Sequence, residues 1–147
     1  MRIRQAISAD LDAVKRCAEA AYAKYVSRMG TKPAPMIADF AGQIGANVVH
    51  VIVDDGSVLG FIVLYPRDDH IHVENVAVFP QRGGRGIGGK LLAFAEHEAR
   101  RLELAAVELY TNEKMTENLS LYQYLGYQEI DRRKEVGFSR VYFRKDA

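Results

Sequence analysis

The run Val76-Ala77-Val78-Phe79-Pro80-Gln81-Arg82-Gly83-Gly84-Arg85-Gly86-Ile87-Gly88-Gly89-Lys90-Leu91-Leu92 carries the residues best suited to chemistry in this 147-residue chain. An apolar, β-branched segment ends at a proline, a glycine-rich turn follows, and then an amphipathic helix. Glycine lets a backbone come close to a ligand with no side chain in the way. A helix start adds N–H groups without acceptors and the positive end of the helix dipole. Together they make a cradle for a phosphate or pyrophosphate. His70 and His72, two apart on one strand, are the other residues of chemical interest. A histidine pair without a third ligand is a poor metal site, so no metal is expected.

Spacing separates three kinds of phosphate cradle. Gly84, Gly89 and Lys90 fit G-x-x-x-x-G-K. That pattern next needs Ser or Thr to hold magnesium, and Leu91 stands there. Gly84, Gly86 and Gly89 also fit G-x-G-x-x-G. A dinucleotide fold places that pattern directly after its first strand, with most of the domain still to come. Here Pro80, Gln81 and Arg82 intervene and much of the chain is already used. The third kind, a cradle for an acyl carrier, rests on the resemblance described below.

The elements that must hold this turn alternate between strand and helix. Met1 to Ala6 reads as an edge strand. Ser8 is the expected cap of a helix bearing Leu11, Val14, Ala18, Ala21, Tyr22 and Tyr25 at helical spacing. Gly30, Pro33 and Pro35 break the region Arg28 to Pro35, and a shorter helix is expected from Met36 to Ile44. Strands follow at Val48 to Val53, Val58 to Tyr65 and His70 to Phe79, the first two joined by a hairpin turn at Asp54-Asp55-Gly56-Ser57. Ile87, Leu91, Phe94, Ala95, Ala99 and Leu102 form the expected buried stripe of the next helix. A strand at Ala105 to Tyr110, a helix at Thr116 to Leu125 ending at Gly126, and strands at Tyr127 to Lys134 and Arg140 to Arg144 complete the chain.

Composition narrows the function classes. The length suits one domain, 1–147, and 48% hydrophobic residues suffice for a core. A net charge of +1 gives no basic footprint for nucleic acid. Cys17 is alone, so no internal disulfide forms, and it is expected as a small apolar filler. No apolar run is long enough to span a membrane, and the N-terminus lacks a secretory core, so a cytoplasmic protein is expected.

The glycine segment resembles the coenzyme A signature of the GNAT acetyltransferase superfamily, Gln/Arg-x-x-Gly-x-Gly/Ala. Gly86 and Gly88 take its two small positions, and Ile87 and Leu91-Leu92 match its flanks. Gly83 departs from the Gln or Arg of the pattern, which removes a side-chain contact and leaves the backbone amides. Asn118, Tyr122, Gly126 and Tyr127 match the second motif, Asn/Ala-x-x-x-Tyr-x-x-x-Gly-Phe, with Tyr in place of the commoner Phe. The resemblance runs over nearly the whole chain. It implies an α/β (α+β) GNAT fold: a mixed, mostly antiparallel sheet of about six to seven strands flanked by about four helices.

The resemblance also implies an N-acetyltransferase that moves an acetyl group from acetyl-CoA to a primary amine of a small molecule or peptide. Such a site needs a neutral amine, donors aimed at the developing oxyanion, and a proton for the departing thiolate. Tyr122 is the implied acid, since a phenol with a pKa of about 10 stays protonated near neutrality. Glu74 is the implied base, acting through water, with His72 as an alternative. Backbone groups of Val76, Ala77 and Val78 are expected to pair with the pantetheine arm as an added strand would, while the side chains of Val76 and Val78 pack in the core. Gly83, Gly84, Arg85, Gly86, Ile87, Gly88 and Gly89, with Arg82 and Lys90, are expected to face the cofactor's phosphates. Asn118 either bonds the cofactor's amide arm or bonds locally at its helix start. Tyr22, Tyr25, Arg28, Pro33, Pro35 and Met36 are the implied acceptor walls, with an acceptor carboxylate opposite Arg28. The competing function is a coenzyme A-binding module without catalysis. Exposed late strands would also allow a homodimer.

Overall fold

The computed structural model of the chain describes residues 1–147. The strands are β1 (Arg2–Gln5), β2 (Val49–Asp54), β3 (Ser57–Arg67), β4 (His70–Val78), β5 (Ala106–Asn112), β6 (Gln128–Glu135) and β7 (Phe138–Asp146). The helices are α1 (Leu11–Met29), α2 (Phe40–Gly45), α3 (Ile87–Arg101) and α4 (Thr116–Tyr124). All seven strands form one sheet in the order β1-β2-β3-β4-β5-β7-β6. β4 and β5 pair in parallel, His70 opposite Ala106 through Val73 opposite Leu109. Parallel neighbours need a long crossover, and α3 supplies it. β1 with β2, β2 with β3, β5 with β7 and β6 with β7 are antiparallel.

The chain divides into two compact units, Met1–Leu64 with Glu74–Ala93, and Tyr65–Val73 with Phe94–Ala147. In the first, β3 is buried continuously from Leu59 to Leu64. Strands covered on both faces read as such unbroken apolar runs. Phe61 meets the ring of Phe40 edge-on at 5.4 Å. Cys17 is fully buried and burial pushes its thiol up to about 12, as an inert filler requires. In the second unit, Ile71, Val73, Ala95, Ala99, Val107, Leu109, Val141 and Phe143 make the core.

Four local expectations are corrected. Ser8 lies in a 3-10 turn, Ser8–Asp10, and does not cap α1. The Asp10 carboxylate instead reaches back to the Ile7 N–H at 2.8 Å and takes a bidentate Arg4 at 2.8 and 3.0 Å. α1 runs to Met29, past the expected break at Arg28, and ends on Gly30 at φ +73°. The second helix is only six residues, preceded by a 3-10 turn at Ala34–Met36, and starts where the Asp39 carboxylate accepts from Gly42 N–H at 3.1 Å. Leu102 lies beyond the last turn of α3 and is 40% exposed, so the buried stripe ends at Ala99.

Candidate functional site

In the first unit, β4 leaves the sheet at Val78 and the chain enters a 3-10 turn, Pro80–Arg82. Arg82 N–H donates to the Phe79 carbonyl at 2.8 Å and Gly83 N–H to the Pro80 carbonyl at 3.0 Å. Gly84 and Gly86 follow at φ +78° and +71°. Side-chain-bearing residues avoid that region, so these two glycines let the chain reverse into α3. The first hydrogen bond of the helix runs from Lys90 N–H to the Gly86 carbonyl at 3.0 Å. The N–H groups of Ile87, Gly88 and Gly89 therefore have no acceptor in the helix.

A Cβ built on Gly84 or Gly86 meets nothing within 4 Å, and one on Gly88 meets only Val78 Cγ2 at 3.9 Å. A side chain at these glycines would meet little of the protein. No carboxylate lies between Val76 and Leu92, whereas Arg82, Arg85 and Lys90 do. Lys90 Nζ lies 3.7 Å from Met1 Sδ, and Arg85 is exposed. Orphan amides, a helix dipole, uncrowded glycines and cations suit a pyrophosphate.

The strand before the turn alternates. Asn75 and Ala77 are buried, and Glu74, Val76 and Val78 are half-buried on the other face. The expected core packing of Val76 and Val78 is thus corrected: Asn75 and Ala77 hold the inward positions. β3 can approach Ala77 and Val78 because Gly60 lacks a side chain; a Cβ there would lie 2.5 Å from the Ala77 carbonyl.

Asn75, between Glu74 and Val76 on β4, is a buried polar residue that the sequence did not reveal. Its amide donates to the Pro35 carbonyl at 2.8 Å and its oxygen accepts from the Tyr22 hydroxyl at 2.7 Å. It ties α1 and the 3-10 turn at Ala34–Met36 to β4. The available signal was a lone amide in a strand that also carries His70, His72 and Glu74. Gln43 was missed as well. On α2, it donates its amide to the Glu74 carboxylate.

Tyr25 is buried, and Arg28 stacks on its ring at 5.2 Å. The expected shared face of these two is present. Met36 is half-buried and Pro33 is buried.

In the second unit, Tyr122 is 5% exposed, with its ring 5.7 Å from Phe143 and 6.0 Å from Tyr127. Tyr127 is buried with a hydroxyl that meets no hydrogen-bond partner, and burial raises its pKa well above the usual phenol value. Asn118 turns its amide locally, to Thr111 Oγ1 at 3.4 Å and Met115 Sδ at 3.6 Å.

His72 is buried in a row of rings, 5.5 Å from Tyr65, 6.3 Å from His70 and 6.2 Å from Tyr110. His70 Nδ1 faces Asp69 at 3.2 Å and Glu108 at 3.4 Å. Those three could together reach a cation. Arg144 already neutralises both carboxylates, at 3.0 Å from Asp69 and 2.5 Å from Glu108. The guanidinium depresses Asp69 to about 2. That cluster is a satisfied ion network.

The family model described as "Acetyltransferase (GNAT) family" matches residues 15–127. An aminoalkylphosphonate N-acetyltransferase of Salmonella typhimurium is 34% identical over 82 residues, 51% of this chain and 53% of that protein. The match thus spans about half the length of that curated relative. Among solved structures, the ribosomal-protein-S18-alanine N-acetyltransferase of Escherichia coli superposes with TM-score 0.79 at 19% identity, over 99% of this chain and 92% of its own. The Salmonella typhimurium protein yncA with its cofactor acetyl-CoA gives 0.74 at 19% identity, over 99% and 93%. At these identities the two structures speak for the fold.

Proposed function

This chain belongs to the acetyltransferase (GNAT) family, and from that premise we propose that it transfers an acetyl group from acetyl-CoA to a primary amine. The observation that carries the proposal is the turn at Gly84–Gly89, whose orphan amides open a helix of 15 residues. Those amides, with Arg82 and Arg85, fit the diphosphate of coenzyme A; Lys90, whose ammonium lies against Met1 Sδ, is a further cation on the same segment. Val76, Ala77 and Val78 offer backbone groups to the pantetheine arm. When bound, acetyl-CoA supplies an acetyl thioester open to a neutral amine.

The protein's own residues then have three tasks. Glu74 accepts, through water, a proton from the incoming ammonium. A backbone N–H of Val76–Val78 faces the carbonyl oxygen as charge develops on it. Tyr122 donates its hydroxyl proton to the departing sulfur, because a phenol remains protonated at neutral pH. Asn118, whose amide is engaged locally, keeps a carbonyl oxygen to offer to the cofactor arm.

The acceptor is a small amine that carries an acidic group. The aminoalkylphosphonate acceptor in the relative's name supports this, as does Arg28, exposed on the ring of Tyr25. Tyr25, Arg28 and Met36 form its walls, and His72 is the second candidate base. The test is thiol release from acetyl-CoA with a panel of primary amines that includes aminoalkylphosphonates, amino acids and an N-terminal alanine peptide. Turnover with an anionic small amine is expected. Calorimetric binding of coenzyme A without turnover on any amine would instead establish a non-catalytic binding module.

A further inference from the structure

Gln43 is half-buried on α2, whose Phe40 and Ile44 pack into the core at 2% and 7% exposure. Its amide nitrogen donates to Glu74, and its amide oxygen is buried with no donor in the chain. The orientation follows from chemistry: an ionised carboxylate only accepts, so the NH2 end must face Glu74. Buried carbonyl oxygens without a donor are uncommon and each calls for an explanation, of which a donor brought by a bound molecule is one. Beside this oxygen stands a carboxylate already held in place. A carboxylate and a neutral carbonyl side by side suit a group with several N–H donors, and a primary ammonium has three.

We propose that Gln43 positions Glu74 through its N–H and reads the acceptor through its carbonyl oxygen, which accepts a hydrogen bond from the primary amine. This rests on the acetyl-transfer reading above. In the proton-transfer step one ammonium N–H bond breaks, its electron pair stays on nitrogen, and the proton goes through water to a Glu74 carboxylate oxygen. The neutral amine retains two N–H bonds, and one of them points at Gln43. An N-methyl amine has one N–H fewer at this stage. The pair therefore favours primary amines over their N-methyl counterparts.

The experiment compares wild type, Gln43→Leu and Gln43→Glu on the fastest amine of the panel and on its N-methyl form. Gln43→Leu, which loses both the N–H to Glu74 and the carbonyl oxygen, should lower kcat, raise the amine KM by about tenfold, leave the acetyl-CoA KM unchanged, and erase the preference for the primary amine. Gln43→Glu retains an acceptor oxygen but loses the N–H to Glu74, so it should keep the preference and lower kcat. An unchanged preference in Gln43→Leu, or a joint rise of both KM values with a lower melting temperature, overturns the proposal. If wild type acetylates nothing, the acetyl-transfer reading falls, and Gln43 is then judged by the NMR signal of its 15N side-chain amide during titration with ethylammonium chloride. A saturating shift supports the assignment, and a flat titration overturns it.

Discussion

Replacing Gly86 and Gly88 by alanine, one at a time, should move stability in opposite directions. Gly86 sits at φ +71° and a Cβ there meets nothing within 4 Å. Its cost is therefore purely conformational, about 1–2 kcal/mol for an L residue held in the left-handed region. Gly88 lies within α3 with a helical backbone, and its Cβ would make an ordinary contact with Val78 at 3.9 Å. Alanine there should stabilise by about 0.5–1 kcal/mol through lost freedom of the unfolded chain. The two variants should differ by about 1.5–3 kcal/mol, and at about 3 °C per kcal/mol their melting temperatures by about 5–9 °C. Differential scanning calorimetry measures the gap. Titration with coenzyme A should then show weakened binding for Gly86→Ala, because relaxing φ re-aims the amides. A Gly86→Ala protein as stable as wild type, binding coenzyme A equally well, would refute the assignment of the turn.

Three further outcomes are expected. Tyr122→Phe should slow acetyl transfer by about 10²-fold or more without loosening coenzyme A, since only the hydroxyl is lost from a ring packed on Phe143; stopped-flow thiol detection measures it. Tyr127→Phe should raise the melting temperature by about 3 °C, because it deletes a buried hydroxyl that has no partner. Asp10 is held below the usual carboxylate pKa, first by its hydrogen bonds from Arg4. Its contribution is complete above about pH 4 and is lost as pH falls through the depressed value. Asp10→Asn should therefore cost about 1–2 kcal/mol at pH 7 and flatten the acid limb of a urea-denaturation series.

What the sequence disclosed was what local pattern encodes. The buried stripe Ile87, Leu91, Ala95 and Ala99 is a helical repeat, and the structure buries each of these residues. The hairpin at Asp55-Gly56 has both residues at positive φ, 50° and 77°, as that dipeptide suggests. The glycine turn likewise advertises itself through residues that only an unusual backbone requires. Ser8 misled because a nearby acid competed: Asp10 has a carboxylate that can serve Ile7 and Arg4 at once. Asn75 and Gln43 stayed hidden because their partners lie 40 and 31 residues away, at Pro35 and Glu74. Neither distance leaves a trace in spacing. Leu102 continued the apolar period of α3 by one step, but burial depends on whether the helix itself continues, and it stops at Arg101.

The strand β6 ends the sheet, and its residues Gln128 to Lys134 are all exposed. Arg132 pairs with Glu129 at 2.9 Å and Arg133 with Asp131 at 2.6 Å. A net charge of only +1 gives this protein little overall repulsion to keep copies apart. The local weave of opposite charges along that border makes an arriving strand match sign for sign before it can zip on. Salt that dissolves this weave should shorten the shelf life of a concentrated solution well before it unfolds a single molecule.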